Sequence, residues 1–125
     1  MDRIWAVDDD LVYHFVINRF FQELGIAHTL RLFKTSSRLL EAAKIANKED
    51  VPDLLLLDLR MPDLDGWQLI TELSDVPLFS NTVPIVIISS SIDPADVMRA
   101  KDIPMVRRYI PKPITLQNIA SALEE

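Results

Sequence analysis

The segment Leu54-Leu55-Leu56-Leu57-Asp58 decides the fold of this chain. The turn-forming residues Val51-Pro52-Asp53 precede it, so the four leucines predict a short β-strand. A strand that is apolar at every position has both of its faces covered, which is the usual condition in a parallel sheet with helices on either side. Asp58 follows the last leucine and therefore stands at the carboxyl end of the predicted strand.

Short apolar runs alternate with amphipathic runs along the rest of the chain. The pattern predicts strands at residues 4–7, 28–33, 54–57, 84–88 and 106–111. A first helix is predicted over residues 11–24, with Leu11, Phe15, Phe20 and Leu24 on its apolar face and Gly25 as its stop. Cap or turn residues introduce four more helices, at Thr35-Ser36-Ser37, Asp65-Gly66, Asp93-Pro94 and Thr115.

Five β units and five α units in strict alternation predict a single α/β domain over residues 1–125, with an open parallel sheet and helices on both faces. In such sheets the functional crevice lies beyond the carboxyl ends of the strands. The residues predicted there are Asp8-Asp9-Asp10, Asp58, Ser89 and Lys112. Pro111 and Pro113 also suggest that the fifth strand lies at an edge of the sheet.

These strand ends predict an acidic pocket. Asp8, Asp9 and Asp58 lie close together if the first and third strands are neighbours, and each carboxylate then raises the pKa of the others unless a cation intervenes. A hard divalent cation with oxygen ligands, Mg²⁺ above all, fits such a site. The alternative for the Asp triplet is an acid-rich helix N-terminus. We interpret Asp10, with Asp63 and Asp65, as cap and turn residues.

Two further polar residues complete the pocket. Lys112 precedes a proline, which holds it in an extended conformation from which it can reach a carboxylate or a phosphoryl oxygen. Ser89 can donate a hydrogen bond to the same oxygen. Each residue also has an interpretation without a functional role. Lys112 alone could be a surface lysine in a turn, and Ser89 alone could be an ordinary serine at the end of a strand.

Composition narrows the class of protein. Apolar residues make up 49% of the chain and no apolar run is long enough to cross a bilayer, so a soluble domain is predicted. The absence of cysteine excludes disulfides, thiolate catalysis and Cys-based zinc sites. A net charge of -6 argues against direct nucleic-acid binding. We therefore expect a cytoplasmic protein that does not insert into a membrane and does not bind nucleic acid directly. His14 is expected on the polar side of the first helix.

Four motifs in order give the chain a resemblance to a known family. They are Val7-Asp8-Asp9, Asp58-Leu59-Arg60-Met61-Pro62-Asp63-Leu64-Asp65-Gly66, Ile87-Ile88-Ser89-Ser90 and Tyr109-Ile110-Pro111-Lys112-Pro113. In these the chain resembles the response-regulator receiver domains of two-component signalling, the family of the chemotaxis protein CheY. The resemblance implies the flavodoxin-like strand order 2-1-3-4-5. The glycine-free stretch 101–108 and the long stretch 74–83, with Pro77, depart from the family pattern.

The resemblance also implies roles for the site residues. Asp58 is expected to accept a phosphoryl group from a phosphohistidine on a sensor histidine kinase or a histidine phosphotransfer protein. Asp9 is expected to bind Mg²⁺ directly, Asp8 partly through water, and Arg60 through its backbone carbonyl. Ser89 and Lys112 would hold the phosphoryl oxygens, with Ser89 and Tyr109 as the switch pair. The Lys112–Pro113 peptide bond is expected to be cis.

The expected function is thus a phosphoacceptor signalling switch that acts on a downstream protein and catalyses only its own phosphorylation and dephosphorylation. One alternative is a receiver-like binding module that never takes phosphate. A less favoured one is an aspartate-nucleophile phosphatase, which would usually place a second acid where this chain has Arg60.

Overall fold

The computed structural model describes residues 2–80 and 82–124, so the termini of the predicted domain, Met1 and Glu125, lie outside the described residues, as does Asn81 in the long stretch 74–83. The strands are β1 (Ile4–Val7), β2 (Leu30–Phe33), β3 (Leu54–Leu57), β4 (Ile85–Ser89) and β5 (Val106–Pro111). The helices are α1 (Leu11–Glu23), α2 (Ser36–Ile45), α3 (Gly66–Leu73), α4 (Pro94–Lys101) and α5 (Leu116–Leu123). No helix in these two ranges is long and apolar enough to span a bilayer.

The five strands form one parallel sheet in the order β2-β1-β3-β4-β5, which confirms the predicted fold class. Val7 pairs with Phe33 on one side and with Leu57 on the other, so β1, β2 and β3 end at the same level. β5 lies at an edge of the sheet, as its prolines predicted. The Lys112–Pro113 bond is cis, as expected.

Both faces of the sheet are covered, as the four leucines predicted. Leu55 and Leu57 point to the face that holds Leu39 of α2 and Leu69 of α3. Leu54 and Leu56 point to the opposite face, where the apolar residues of α1 and α5 pack. The four leucines are at most 2% exposed. Since each buried leucine contributes about 1.5–3 kcal/mol, this strand anchors both halves of the core.

Polar side chains begin the helices where the sequence predicted caps. The N-cap residues, each accepting a backbone hydrogen bond from the first turn, are Asp10, Thr35, Asp65, Asp93 and Thr115. Asp63 accepts hydrogen bonds from the backbone N–H and the hydroxyl of Ser37, at 2.8 and 2.7 Å, and so ties its loop to α2. Asp10, Asp63 and Asp65 therefore have the cap and turn roles predicted for them.

Gly66 is required by close packing. A Cβ atom at this position would lie 2.9 Å from the carbonyl oxygen of Asp58 and 2.9 Å from the Cα atom of Leu59. These are backbone atoms, which cannot move aside as a flexible side chain can. The start of α3 therefore lies directly against the chain that leaves Asp58.

Some predictions about the helices and strands were wrong in detail. Leu11 and Phe15 of α1 are 59% and 70% exposed, whereas Ile17 and Phe21 are buried. The helix has apolar residues on both faces, so its pattern does not single out the buried stripe. β2 begins at Leu30 rather than at residue 28, because residues 27–29 form a 3-10 turn closed by hydrogen bonds from Thr29 to the Ile26 carbonyl oxygen.

Candidate functional site

Backbone hydrogen bonds fix the residues that follow the strands. The N–H of Asp8 donates to the carbonyl oxygen of Phe33 at 3.2 Å, and the N–H of Asp58 donates to that of Val7 at 3.2 Å. The N–H of Lys112 donates to the carbonyl oxygen of Ser89 at 2.9 Å. The ladder of the sheet thus continues past the strand ends, so the backbone beneath the polar side chains is held rigidly.

The structure brings the predicted carboxylates together. One oxygen from each of Asp8, Asp9 and Asp58 lies within 4.8 Å of the others. Asp8 and Asp58 are 2% and 4% exposed, and Asp9 is exposed. Lys112 lies beside them, with its Nζ atom 2.8 Å from Asp8 Oδ2 and 3.5 Å from Asp58 Oδ2. Lys112 therefore joins the two buried carboxylates.

The electrostatics of the pocket follow from this crowding. Burial, and next the negative charge of Asp8, raise the pKa of Asp58 to about 6, although Lys112 and the backbone N–H of Arg60 act in the opposite direction. Burial alone would lower the pKa of Lys112, but its contacts with Asp8 and Asp58 outweigh burial and raise it. The lysine is thus kept charged while Asp58 resists losing its proton.

The donor set of the pocket fits a divalent cation. Three carboxylates and one ammonium leave two negative charges in a small volume, which one divalent ion would neutralise. Carboxylate oxygens are hard ligands of the kind that Mg²⁺ prefers, and the exposed Asp9 leaves room for the waters that this ion retains. The backbone N–H of Arg60 donates to Asp58 Oδ1 at 3.3 Å, so the Arg60 main chain lies at the rim of the pocket.

The two predicted switch residues, Ser89 and Tyr109, are both hydrogen-bonded to Ser91. Ser89 is fully buried, and its Oγ atom accepts a hydrogen bond from the N–H of Ser91 at 3.1 Å. The hydroxyl of Tyr109 donates to the carbonyl oxygen of Ser91 at 2.9 Å, and its ring packs against the core. Tyr109 is therefore already turned inward in this structure, and the predicted movement of Ser89 and Tyr109 stays a prediction.

A second polar network, which the sequence did not predict, lies beside the pocket. The guanidinium of Arg60 donates to Asp96 Oδ2 at 2.6 Å and to Ser91 Oγ at 3.1 Å. Trp67 Nε1 donates to Asp96 Oδ1 at 3.1 Å, and a hydrogen bond from Ser91 is the largest of the effects that lower the pKa of Asp96. This network connects α3, α4 and the β4–α4 loop through side chains that are distant in sequence.

Two residues of α1 also reach the pocket. His14 was predicted on the polar side of the helix, but it is half-buried and its Nε2 atom donates to the carbonyl oxygen of Asp8 at 2.6 Å. The helical pattern did not reveal this contact, because the imidazole reaches back from the first turn of α1 to the residue after β1. The ring of Tyr13 lies 3.9 Å from Lys112 Nζ, within the range of a cation–π contact. The sequence did not predict this contact, because it depends on how α1 is seated against the sheet.

Comparison with known proteins agrees with this arrangement. A family model described as the response regulator receiver domain matches residues 4–124. The sensor histidine kinase CheAY of Helicobacter pylori is 26% identical over 121 residues, which cover 97% of this chain but 14% of that protein. The chain thus spans about one seventh of that relative.

Two solved structures share the fold. Chemotaxis protein CheY4 of Vibrio cholerae superposes with a TM-score of 0.81 at 18% identity, covering 99% of this chain and 97% of that one. The receiver domain of the sensor histidine kinase PA1611 of Pseudomonas aeruginosa PAO1 superposes with a TM-score of 0.80 at 22% identity, covering 98% and 94%. The latter structure holds a magnesium ion coordinated in its active site cleft.

Proposed function

Since the chain belongs to the response regulator receiver domain family, and is therefore a phosphoacceptor signalling switch, we propose that Asp58 is its phosphoryl acceptor. One observation carries this assignment. Asp58 is the carboxylate at the end of the central strand that an ammonium and two further carboxylates surround.

The chemistry of the transfer requires little more than these groups. A carboxylate oxygen of Asp58 attacks the phosphorus of a phosphohistidine, the phosphorus–nitrogen bond breaks, and its electron pair stays on the imidazole of the donor. Such a transfer depends on positioning and on neutralising the charge of the phosphoryl oxygens. The backbone bond from Asp58 to Val7 supports the positioning, because it fixes the acceptor on the central strands.

Lys112 and Ser89 are proposed to hold the transferred group. Lys112 is already within 3.5 Å of Asp58, and its raised pKa keeps the ammonium charged when the phosphoryl group arrives. Ser89 lies at the end of neighbouring β4, and its hydroxyl is free to donate because its oxygen is the acceptor in the bond with Ser91. Charge-assisted bonds to phosphoryl oxygens are about twice as strong as neutral ones.

We assign the Mg²⁺ ligands to Asp8, Asp9, Asp58 and the carbonyl oxygen of Arg60. Receiver domains bind Mg²⁺ at an acidic pocket, and this pocket has the oxygen donors and the two uncompensated charges that such an ion matches. When bound, the ion supplies positive charge beside the phosphoryl oxygens. Asp9, as the exposed carboxylate, would be the ligand that the ion meets first.

The receiver domain is a signalling module rather than a classical enzyme, and we propose that this chain catalyses only its own phosphorylation and dephosphorylation. The kinship with histidine kinases supports a sensor histidine kinase or a histidine phosphotransfer protein as donor. The output would be binding to a downstream protein, without direct contact to nucleic acid. The cytoplasmic location predicted from the sequence remains part of this proposal.

Labelling with a small phosphodonor tests the acceptor. Incubation with acetyl phosphate and Mg²⁺ should add one phosphoryl group, detected by intact mass, and Asp58→Asn should abolish the addition. Asp75→Asn is a matched control, because Asp75 is an exposed aspartate in the turn after α3 and should leave labelling unchanged. Labelling that survives in Asp58→Asn would falsify the assignment. A folded wild-type protein that binds Mg²⁺ but takes no phosphate would instead support the non-phosphorylated binding module.

A further inference from the structure

A cleft beside the edge strand β2 is lined by residues other than those proposed for phosphoryl transfer. It lies between β2 and α2, has a volume of about 480 Å³, and contains none of the residues of the acidic pocket. Its principal lining residues are Arg31, Phe33, Lys34, Arg38, Glu41 and Ile45. β2 is an edge strand, so no strand within residues 2–80 and 82–124 pairs with the backbone groups on its outer side.

Arg31 is held in place by aromatic rings. Its guanidinium carbon lies 4.8 Å from the ring centre of Phe33 and 5.2 Å from that of Trp5. These two rings pack against each other at 5.1 Å, so they form a fixed platform. The guanidinium, with its five N–H donors, lies over this pair of rings. None of these donors has an acceptor among residues 2–80 and 82–124, and the side chain is exposed.

The cleft is positively charged on an acidic protein. The lining contains three cationic residues, Arg31, Lys34 and Arg38, and one acidic residue, Glu41. In the described part of the chain, none of the three cations has a carboxylate oxygen within 4.0 Å. The whole chain carries a net charge of -6, so a cationic cleft is a local reversal of the prevailing charge.

The cleft also offers an apolar surface. Ile45, at the end of α2, is 86% exposed, and the buried Ala42 lies one turn before it. A preformed fork of N–H donors, an apolar side chain and an unpaired strand edge lie together. This combination matches an extended peptide that presents carboxylates and apolar side chains in alternation.

We propose that this cleft binds an extended acidic segment of a partner protein, which lies along β2, bonds Arg31 through a carboxylate, and packs an apolar side chain against Ile45. Lys34 and Arg38 add attraction at the rim. The site is independent of Asp58, so the partner binds whether or not the pocket is phosphorylated, and a failure of one proposal leaves the other standing.

The test uses a short synthetic peptide of alternating glutamate and valine, with a peptide of alternating lysine and valine as control. Titration of the full chain followed by backbone amide NMR should shift the signals of residues 31–34 and 38–45 with the acidic peptide only. Arg31→Gln should weaken binding about tenfold, the loss of one charge-assisted hydrogen-bonded pair. Arg31→Lys keeps the charge without the fork and should also bind more weakly than wild type.

Lys44→Gln is the matched control, since Lys44 is an exposed lysine of α2 that does not line the cleft. It should bind as wild type does, and all variants should keep their phosphorylation by acetyl phosphate. Arg38→Gln provides a second variant if Arg31→Gln fails to fold.

Three results would overturn the proposal: an equal loss of peptide affinity in Arg31→Gln and Lys44→Gln, NMR shifts outside the cleft, or no binding of the acidic peptide. So would a concentration-dependent dimer of the chain alone that Arg31→Gln dissolves, because a second copy would then be the occupant.

Discussion

At the scale of single residues, the acceptor aspartate stands in an environment that works against its ionisation. Asp58 is 4% exposed, and Asp8 is close enough to raise its pKa further. The folded-state pKa of about 6 lies above the ordinary value of 3.8, so the protonated form is favoured by folding. The stability contributed by this group is fully present below pH 4 and is lost as the pH rises through 6.

Asp58→Asn should therefore stabilise the metal-free protein at neutral pH. In chelator at pH 7.5, we expect its free energy of unfolding to exceed that of the wild type by about 1–3 kcal/mol. The gain should vanish below pH 4, where the wild-type carboxyl is protonated as well. Urea denaturation of both proteins across this range measures the difference, and the comparison cancels the opposing titration of Asp63 and Asp96. A difference that does not change with pH would contradict the raised pKa.

Tyr13 offers a second test at this scale. Its ring lies against the ammonium of Lys112, a contact of about 0.5–2 kcal/mol. Tyr13→Leu removes the ring, so the lysine is held less firmly and the rate of labelling by acetyl phosphate should fall about 2- to 30-fold. Tyr13→Phe keeps the ring face and should label at nearly the wild-type rate. The ¹⁵N shift of Lys112 Nζ should change in the leucine variant, and identical rates in both variants would exclude the role.

At the scale of elements, the β4–α4 loop is the part of the structure that a phosphoryl group would disturb first. Among the described residues, five hydrogen bonds meet at Ser91, which connects Ser89, Tyr109, Arg60, Asp93 and Asp96. If Ser89 turns toward a phosphoryl group, it gives up its bond with the Ser91 N–H. The loop then loses the arrangement that holds the Tyr109 hydroxyl.

We expect beryllofluoride, a phosphoryl mimic, to change the ring signals of Tyr109 in the wild-type protein. Ser89→Ala should still bind the mimic, but the Tyr109 signals should remain unchanged because the link through Ser91 is missing. Ser90→Ala, at the exposed neighbouring serine, is the control and should behave as wild type. A coupling of about 1–3 kcal/mol is sufficient to change partner affinity 5- to 150-fold. An unmoved Tyr109 in the wild type would refute the switch and leave the acceptor assignment intact.

The elements also show what the sequence could predict. The strand ends were predictable, because each stands where an apolar run stops, and parallel strands bring those ends to one edge of the sheet. That rule alone placed Asp8, Asp58, Ser89 and Lys112 together. The Arg60–Asp96 pair and the cleft beside Arg31 were not predictable, since they depend on how helices are rotated and seated against the sheet. The exposure of Phe15 has the same cause, because the sequence of α1 does not determine which of its apolar residues face the sheet.

At the scale of the whole molecule, Mg²⁺ should stabilise the fold, because it relieves repulsion among carboxylates that folding brings together. At a concentration ten times its dissociation constant, the ion adds about 1.4 kcal/mol to the free energy of unfolding.

Asp9→Asn should weaken Mg²⁺ binding, slow phosphorylation and raise the stability of the metal-free protein. Thermal unfolding with and without Mg²⁺ measures the changes in affinity and stability, and labelling by acetyl phosphate measures the rate of phosphorylation. Asp75→Asn, remote from the pocket, should respond to Mg²⁺ as the wild type does. An unchanged Mg²⁺ affinity in folded Asp9→Asn would place the ion elsewhere.

The contact of Lys112 with Asp8 and Asp58 has a consequence for how the protein is made. Lys112 arrives late in the chain, 104 residues after the first carboxylate that it neutralises. The β1 and β3 ends that carry Asp8 and Asp58 are therefore synthesised long before their counter-charge. Once it is in place, the buried carboxylates have a counterion that belongs to the chain itself, so a chain truncated before Lys112 would bury them without one.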